Sequence, residues 1–175
     1  MNDHPVWFVY DALRSAKLNE YYYLRRLARA RRWHTIREIL MAASGSTGVA
    51  GLWIFTGSGI IIWKLLASLS AMLAVYHGVT RPSERIRKLE TQVTGWSQLE
   101  HSLADIRRRI HESGCYDQAL QREVKAVLDE KQSVLTEVVD ADVDAQLRDR
   151  CFQDVMRELP PQIFFVPNDT RTTPR

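Results

Sequence analysis

Arg107, Arg108 and Arg109 form the only run of three arginines in this sequence, and arginine is the residue best suited to binding phosphate groups. Successive residues of a helix point about 100° apart, so at most two of the three can face one ligand. In an oligomer, one arginine per subunit would repeat around the symmetry axis, and such a ring suits phosphates or an oligonucleotide. We therefore predict Arg107, Arg108 and Arg109 as ligand-binding residues, with a solvated helix face as the alternative interpretation.

Motifs for catalysis and for metal binding are absent from the sequence. It contains no Walker loop and no GxGxxG, GxSxG or HExxH pattern. The histidines are scattered, and His101 and His111 are ten positions apart rather than the four that would place two ligands on one helix face. We therefore expect a protein that is not an enzyme and that has no catalytic residues, no metal site and no cofactor.

A second group of candidate residues lies in a stretch almost without charge. Between Ile39 and Thr80, Lys64 is the only formally charged residue. The stretch contains small and polar residues that can either face water in a pore or let helices pack closely. A pore would require a homo-oligomer, because two helices cannot enclose a pore alone. The predicted pore-lining or helix-packing residues are Ser44, Thr47, Gly48, Gly51, Lys64 and Ser68.

The uncharged stretch is long enough for two membrane-spanning helices. As helices, residues 39–56 and 59–79 would extend over roughly 27 Å and 31 Å, close to the ~30 Å hydrocarbon core of a bilayer. Gly57 and Ser58 would form the turn between them. We therefore predict a transmembrane hairpin at residues 38–80. A buried hairpin in a soluble protein is the alternative, but it needs more apolar surface than the other helices offer.

Basic residues flank the predicted hairpin on both sides, so both chain termini are expected in the cytoplasm. The first 37 residues have no short apolar core, and we expect no cleavable signal peptide. Aromatic and basic residues near the ends of the spans are typical of membrane interfaces. The predicted interface anchors are Arg31, Arg32, Trp33, Arg37, Trp53, Trp63, Tyr76 and Arg81.

Amphipathic helices are predicted on the cytoplasmic side of the hairpin. Residues 1–37 have eight basic and three acidic residues, a net charge of +5, and form a basic amphipathic helix that meets no breaker before the first span. Its apolar stripe comprises Val6, Trp7, Val9, Tyr10, Leu13, Ala16 and Leu18.

Residues 81–159 are predicted to form an antiparallel helical arm. Its first helix begins at Pro82 and ends at Ser113 and Gly114, and it carries a heptad seam with a stammer between Trp96 and Leu99. The seam residues are Ile86, Leu89, Val93, Trp96, Leu99, Leu103, Ile106 and Ile110.

The second helix of the arm, from Tyr116 to Leu159, would be longer than the first, so it must break or overshoot. An overshoot would place the acid-rich residues 137–158 beside the basic N-terminal helix. Cys115 and Cys151 are expected to be buried helix residues, and residues 160–175 a polar tail.

The arginine-rich approach helix, the two-helix hairpin, the exit at Arg81 and Pro82 and the helical extension together resemble the SLATT family, over about residues 20 to 158. These proteins are bacterial two-transmembrane effectors associated with nucleotide signalling. The resemblance implies an all-α protein of the bacterial inner membrane that acts in defence against phage. It also implies a nucleotide or oligonucleotide ligand made by a partner nucleotidyltransferase.

The expected function is therefore a homo-oligomeric ion channel or pore, gated by a nucleotide signal that the cytoplasmic helices sense. Opening would depolarise the membrane and lead to growth arrest or cell death. The stammer and the acid-rich segment are candidate switch elements. The alternative is a non-conducting, membrane-anchored coiled-coil scaffold that recruits a protein partner.

Overall fold

The structure is a computed structural model that describes residues 4–54, 82–135 and 143–167, together with Ser68 and Met72. These ranges are all-helical and contain no strand, which confirms the all-α part of the predicted fold class. Four helices are described, and none of them is long and apolar enough to cross a membrane. They are α1 (Val6–Ile54), α2 (Pro82–Ser113), α3 (Gln118–Leu135) and α4 (Ala145–Glu158), followed by a 3₁₀ turn at Pro161–Ile163.

The chain divides into two compact units. The first comprises Met1–Arg25 with Leu89–Arg175, and the second comprises Arg26–Lys88. Helix α1 contributes residues to both units, as expected from the lack of a breaker between the N-terminal segment and the uncharged stretch. The predicted turn at 57–58 and most of the second predicted span lie outside the described residues.

The core of the first unit forms where α1 packs against α2. The predicted apolar stripe of α1 is buried at Val6, Val9, Tyr10, Leu13 and Ala16. On α2, buried residues recur at the spacing of a heptad seam: Leu99, Leu103, Ile106 and Ile110. The seam is therefore confirmed over these residues, and its partner is another helix of the same chain.

The predicted stammer in α2 is wrong. Gln92, at 3% exposure, occupies the buried position that the hydrophobic pattern assigned to Val93, which is only half-buried. Because the pattern counts apolar residues, it does not detect a buried glutamine. With Gln92 in the seam, the spacing from Leu89 through Trp96 to Ile110 alternates three and four without interruption, so the step from Trp96 to Leu99 is not a stammer.

The second half of the arm breaks into two helices. α3 ends at Leu135, Val143 and Asp144 are not helical, and α4 begins at Ala145. The side chain of Asp144 caps α4 by accepting a hydrogen bond from the Leu147 backbone N–H at 3.0 Å. The intervening residues 136–142 lie outside the described ranges. An overshoot was expected to place the acid-rich segment beside the basic N-terminal helix. The arm breaks instead, but α4 still packs beside the N-terminal part of α1.

Two local predictions need correction. Cys151 is buried in α4 as expected, but Cys115 is exposed and lies outside any helix, because Gly114 ends α2 directly before it. Residues 160–167 are not part of a polar tail, since Phe164 is only 7% exposed in the core of the first unit. The predicted polar residues 168–175 lie outside the described ranges.

Gly114 provides a test of the turn between α2 and α3. It has a φ of +67°, and its N–H donates to the Ile110 carbonyl at 3.0 Å. A Cβ atom there would meet nothing within 4 Å, so the only cost of Gly114→Ala is the left-handed backbone conformation. We expect the unfolding free energy, measured by urea denaturation, to fall by about 1 kcal/mol. Gly114→Asn should lose less, since asparagine tolerates this conformation. Equal stability of wild type and both variants would contradict the left-handed turn.

Candidate functional site: a charged and aromatic face of the N-terminal helix

Lys17 is the centre of a charged cluster that joins three helices. Its amine lies 3.7 Å from a carboxylate oxygen of Glu20 on α1, 3.5 Å from Glu100 on α2 and 3.6 Å from Glu158 on α4. The side chain of Lys17 is only 16% exposed. We call Lys17, Glu20, Glu100 and Glu158 the lysine cluster. Because one cation faces three carboxylates from different helices, the cluster fixes how α2 and α4 pack on α1.

The electrostatics of the cluster favour the charged form of Lys17. Burial alone would lower the pKa of Lys17, but the charges of Glu100, Glu158 and Glu20 outweigh burial and raise it above its ordinary value of 10.5. An amine with a raised pKa stays protonated at neutral pH and is a poor general base or nucleophile. The cluster is therefore suited to holding helices together rather than to catalysis.

An open groove of about 370 Å³ lies beside the lysine cluster, between α1 and α4. The Arg25 guanidinium donates to Asp154 at 2.6 Å, and the Tyr21 hydroxyl donates to Glu158 at 2.5 Å. The hydrogen bond to Glu158 is the main cause of the raised pKa of Tyr21. The residues that line the groove are Tyr21, Arg25, Asp154, Arg157 and Glu158. Since Arg25 and Tyr21 of α1 bind Asp154 and Glu158 of α4, the side chains that line the groove hold α4 against α1.

A second contact between α1 and α4 centres on Tyr22 and Cys151. Both are buried, and they pack together with Leu147. The Tyr22 hydroxyl accepts a hydrogen bond from the Asp144 N–H at 3.2 Å, directly before the start of α4. Burial raises the pKa of the Cys151 thiol, which makes it a poor nucleophile. This contact fixes the first turn of α4 on α1.

The chain after α4 packs onto the N-terminal part of α1, and we call residues 159–167 the C-terminal strap. The Phe164 ring stacks on Tyr10 at 4.2 Å with an interplanar angle of 12°, and the Arg14 guanidinium lies 4.7 Å from the centre of the same ring. Arg14 also donates two hydrogen bonds to the Leu159 carbonyl, at 3.0 and 3.1 Å. The Tyr10 hydroxyl donates to the Phe165 carbonyl. Tyr10 and Arg14 therefore hold the strap by one aromatic ring and two backbone carbonyls.

The three arginines predicted to bind a ligand have different surroundings. Arg108 pairs with Asp105 and Glu112, and Arg109 pairs with Asp105 and Glu123. Arg107 is half-buried and has no carboxylate within ion-pair distance among the described residues. Its charge opposes the raising of the Tyr10 pKa by burial. Of the three, Arg107 therefore offers the most available positive charge, beside the helix face that holds the strap.

The predicted pore and interface residues are described only in part. Ser44, Thr47, Gly48, Gly51 and Trp53 lie on the backbone of α1, but their side chains lie outside the description. Ser68 is helical and exposed. Arg31, Arg32 and Trp33 are exposed on α1, and Arg37 is half-buried. Lys64, Trp63, Tyr76 and Arg81 lie outside the described residues.

The lysine cluster and the strap were missed by sequence reasoning. Lys17 is one basic residue in a strongly basic segment, and its partners lie 83 and 141 positions away in the sequence. The complementary charge of residues 137–158 was a usable signal, because it predicted packing of this segment on the basic helix. Phe164 and Phe165, directly after two prolines and two further residues, were a second signal, since large apolar residues are rarely part of a solvated tail.

The described chain is all-helical, and its first unit has a packed hydrophobic core. In the part of the chain that the structure describes, no group of three histidine, cysteine or acidic residues is placed to hold a metal ion. Comparison of the chain with protein-family models, curated proteins and solved structures found no match.

Proposed function

We propose that the chain is a multi-pass protein of a bacterial inner membrane, in which residues 38–80 form a transmembrane hairpin with both termini in the cytoplasm. Copies of the chain assemble into an ion channel or pore, and the helices of the first unit receive a nucleotide or oligonucleotide signal that gates it. Opening depolarises the membrane as part of a defence against phage. The support comes from the uncharged stretch, its basic flanks and the resemblance to SLATT proteins.

The observation that carries the membrane part of the proposal is a row of exposed apolar side chains on α1. Trp33, Ile36 and Leu40 follow each other at steps of three and four, which places them on one face of the helix, and each is between 47% and 58% exposed. Ile39 is 62% exposed. Exposed apolar surface on this scale is typical of a membrane or protein interface. Trp33 beside Arg32 is also typical of a chain entering the bilayer.

The gating part of the proposal follows from Arg107 and from the continuity of α1. A signal can gate the channel only if it binds one packing of the helices better than another. The charge of Arg107 acts on Tyr10 of α1, so an anion bound at Arg107 would affect the helix that continues towards the proposed first span. Arg108 and Arg109 already have carboxylate partners and would contribute less to binding.

Single-channel recording in a planar bilayer tests the proposal. The purified full-length chain should give discrete openings, and Ser68→Leu should abolish them, since it replaces a hydroxyl in the proposed pore wall with an apolar side chain. Met72→Leu is the matched control, because it changes an exposed residue four positions further along with little change in volume, and it should conduct as the wild type does. Silence of the wild type, even with lysate from phage-infected cells added, would contradict the channel.

A non-conducting membrane scaffold is the second candidate. It is favoured by Phe152 on α4, which is 52% exposed and offers a hydrophobic contact for a protein partner. The heptad seam of α2 does not offer such a contact, because it is buried against α1. In a scaffold, the polar-to-leucine changes Ser44→Leu, Thr47→Leu and Ser68→Leu would leave partner recruitment unchanged, whereas Phe152→Ala would weaken it.

A further inference from the structure

We infer that the face of α1 formed by Trp7, Tyr10 and Arg14 is a peptide-docking site, and that the C-terminal strap occupies it as a releasable latch. The ligand class is a short peptide that forms a 3₁₀ turn, with a phenylalanine a few residues after a Pro-Pro pair. In this chain that ligand is residues 159–167. Release of the strap would loosen the N-terminal part of α1 while α3 and α4 stay folded.

The docking site recognises one ring and two carbonyl groups. The Phe164 ring stacks on Tyr10, and the Trp7 ring stands nearly perpendicular to both, 5.7 Å from Tyr10 and 6.3 Å from Phe164 at 84°. The guanidinium of Arg14 contacts the ring and binds the carbonyl five residues before it, at Leu159. The site therefore contacts one side chain, the Phe164 ring, and the backbone carbonyls on either side of it. Peptide-binding sites recognise their ligands through the same combination of side-chain and backbone contacts.

The strap is attached to α1 through side chains alone. Its backbone hydrogen bonds in the described chain are local: Leu159 to Val155 in α4, and Ile163 and Phe164 to Pro160 and Pro161 in the 3₁₀ turn. Pro160 and Pro161 have no N–H to donate. The strap can therefore leave α1 without breaking a backbone hydrogen bond of any helix.

Only a small part of the strap is buried. Leu159, Phe164 and Pro167 are buried, whereas Ile163, Phe165 and Val166 are between 38% and 49% exposed. Segments with few buried apolar contacts open at lower free energy than the core does. The Phe165 ring makes one further contact, with His111 on α2 at 5.5 Å. Since Phe164 is the main buried anchor, its loss should release the whole segment.

The latch has a consequence for gating that rests on the proposed function. The residues covered by the strap lie in the first three turns of α1, and the same helix extends to Ile54. The charge of Arg107, one of the predicted ligand-binding arginines, acts on Tyr10, which holds the strap. A signal that displaced the strap would act on α1 directly, so the strap is the switch element that the stammer was expected to be.

Amide hydrogen exchange of the full-length chain in detergent micelles tests the latch. In Phe164→Ala, exchange in residues 7–16 should rise about 10–100-fold, while residues 119–129 of α3 and 147–156 of α4 exchange as in wild type. Tyr10→Phe removes only the hydroxyl that binds the Phe165 carbonyl and should give a rise of a few-fold. Phe152→Ala is the matched control, because this phenylalanine is exposed, and it should change nothing in α1.

Addition of a synthetic peptide distinguishes a docking site from a loosened core. The peptide of residues 158–167 (ELPPQIFFVP), added at millimolar concentration to Phe164→Ala, should restore protection of residues 7–16. The same peptide with alanine in place of its first phenylalanine should not. Rescue by both peptides or by neither would overturn the docking site.

Two further outcomes would overturn the latch. One is unchanged exchange in α1 when Phe164 is replaced, and the other is a uniform rise across α1, α3 and α4 in both Phe164→Ala and Tyr10→Phe. Neither depends on conduction. A chain that never conducts would end the channel proposal and leave the exchange result standing, so the two failures are distinguishable.

Discussion

Leu103→Ala should lower the unfolding free energy of the first unit by about 3 kcal/mol. Leu103 is fully buried between α1 and α2, and truncation of such a leucine removes apolar contacts and leaves a cavity. The measurement is urea denaturation of the full-length chain, followed by far-ultraviolet circular dichroism. Leu24→Ala is the control, because Leu24 is 48% exposed, and it should change the free energy by less than about 0.5 kcal/mol. Equal losses at Leu103 and Leu24 would contradict the described core, because only Leu103 is buried in it.

Lys17→Met should destabilise the first unit by about 2 kcal/mol at neutral pH. Removal of the amine leaves Glu20, Glu100 and Glu158 close together without a cation, in a partly buried place. Lys125→Met is the control, because Lys125 is exposed on α3. Thermal unfolding of both variants and of wild type should show the loss at Lys17 alone.

The pH dependence of this loss has a definite sign. Since the folded pKa of Lys17 is raised above 10.5, its stabilisation is fully present below pH 10.5 and is lost as pH rises through the folded pKa. The raised pKa of Tyr10 affects wild type and variant alike, and a Tyr21→Phe background in both proteins removes Tyr21, because the Lys17 charge opposes the raising of the Tyr21 pKa. The gap in stability between wild type and Lys17→Met should therefore narrow above pH 10.5. A gap that stays constant well above that pH would contradict the charged lysine cluster.

Much of the helical framework could be predicted from local patterns. The stripe at Val6 to Ala16, the start at Pro82 and the stop at Gly114 all depend on residues within a few turns of one another. The place of Gln92 in the seam could not be predicted from local patterns, because burial of a polar side chain depends on what packs against it. Cys115 was misplaced although the predicted stop at Gly114 and the predicted start at Tyr116 already left it outside both helices.

The candidate site was harder to predict, because its contacts join residues far apart in the sequence. Arg14 meets Leu159 across 145 positions, and Tyr10 meets Phe165 across 155. Charge patterning indicated that residues 137–158 and the basic helix belong together, but it did not select Lys17 from its basic neighbours. The sequence identified the three consecutive arginines as a basic patch. It could not show that Arg108 and Arg109 form ion pairs, because this depends on the acidic residues that face them.

We propose that residues 38–80 cross a membrane twice and leave the first unit in the cytoplasm. Ser58→Cys places a thiol in the predicted outer turn, and the native Cys115 is an exposed thiol of the first unit. A membrane-impermeant maleimide added to intact bacterial cells that express this variant should label the introduced thiol and leave Cys115 unlabelled until the cells are lysed. Cells that express the wild-type protein are the control, and its native Cys115 should be labelled only after lysis. Labelling of both thiols of the variant only after lysis would contradict the transmembrane hairpin.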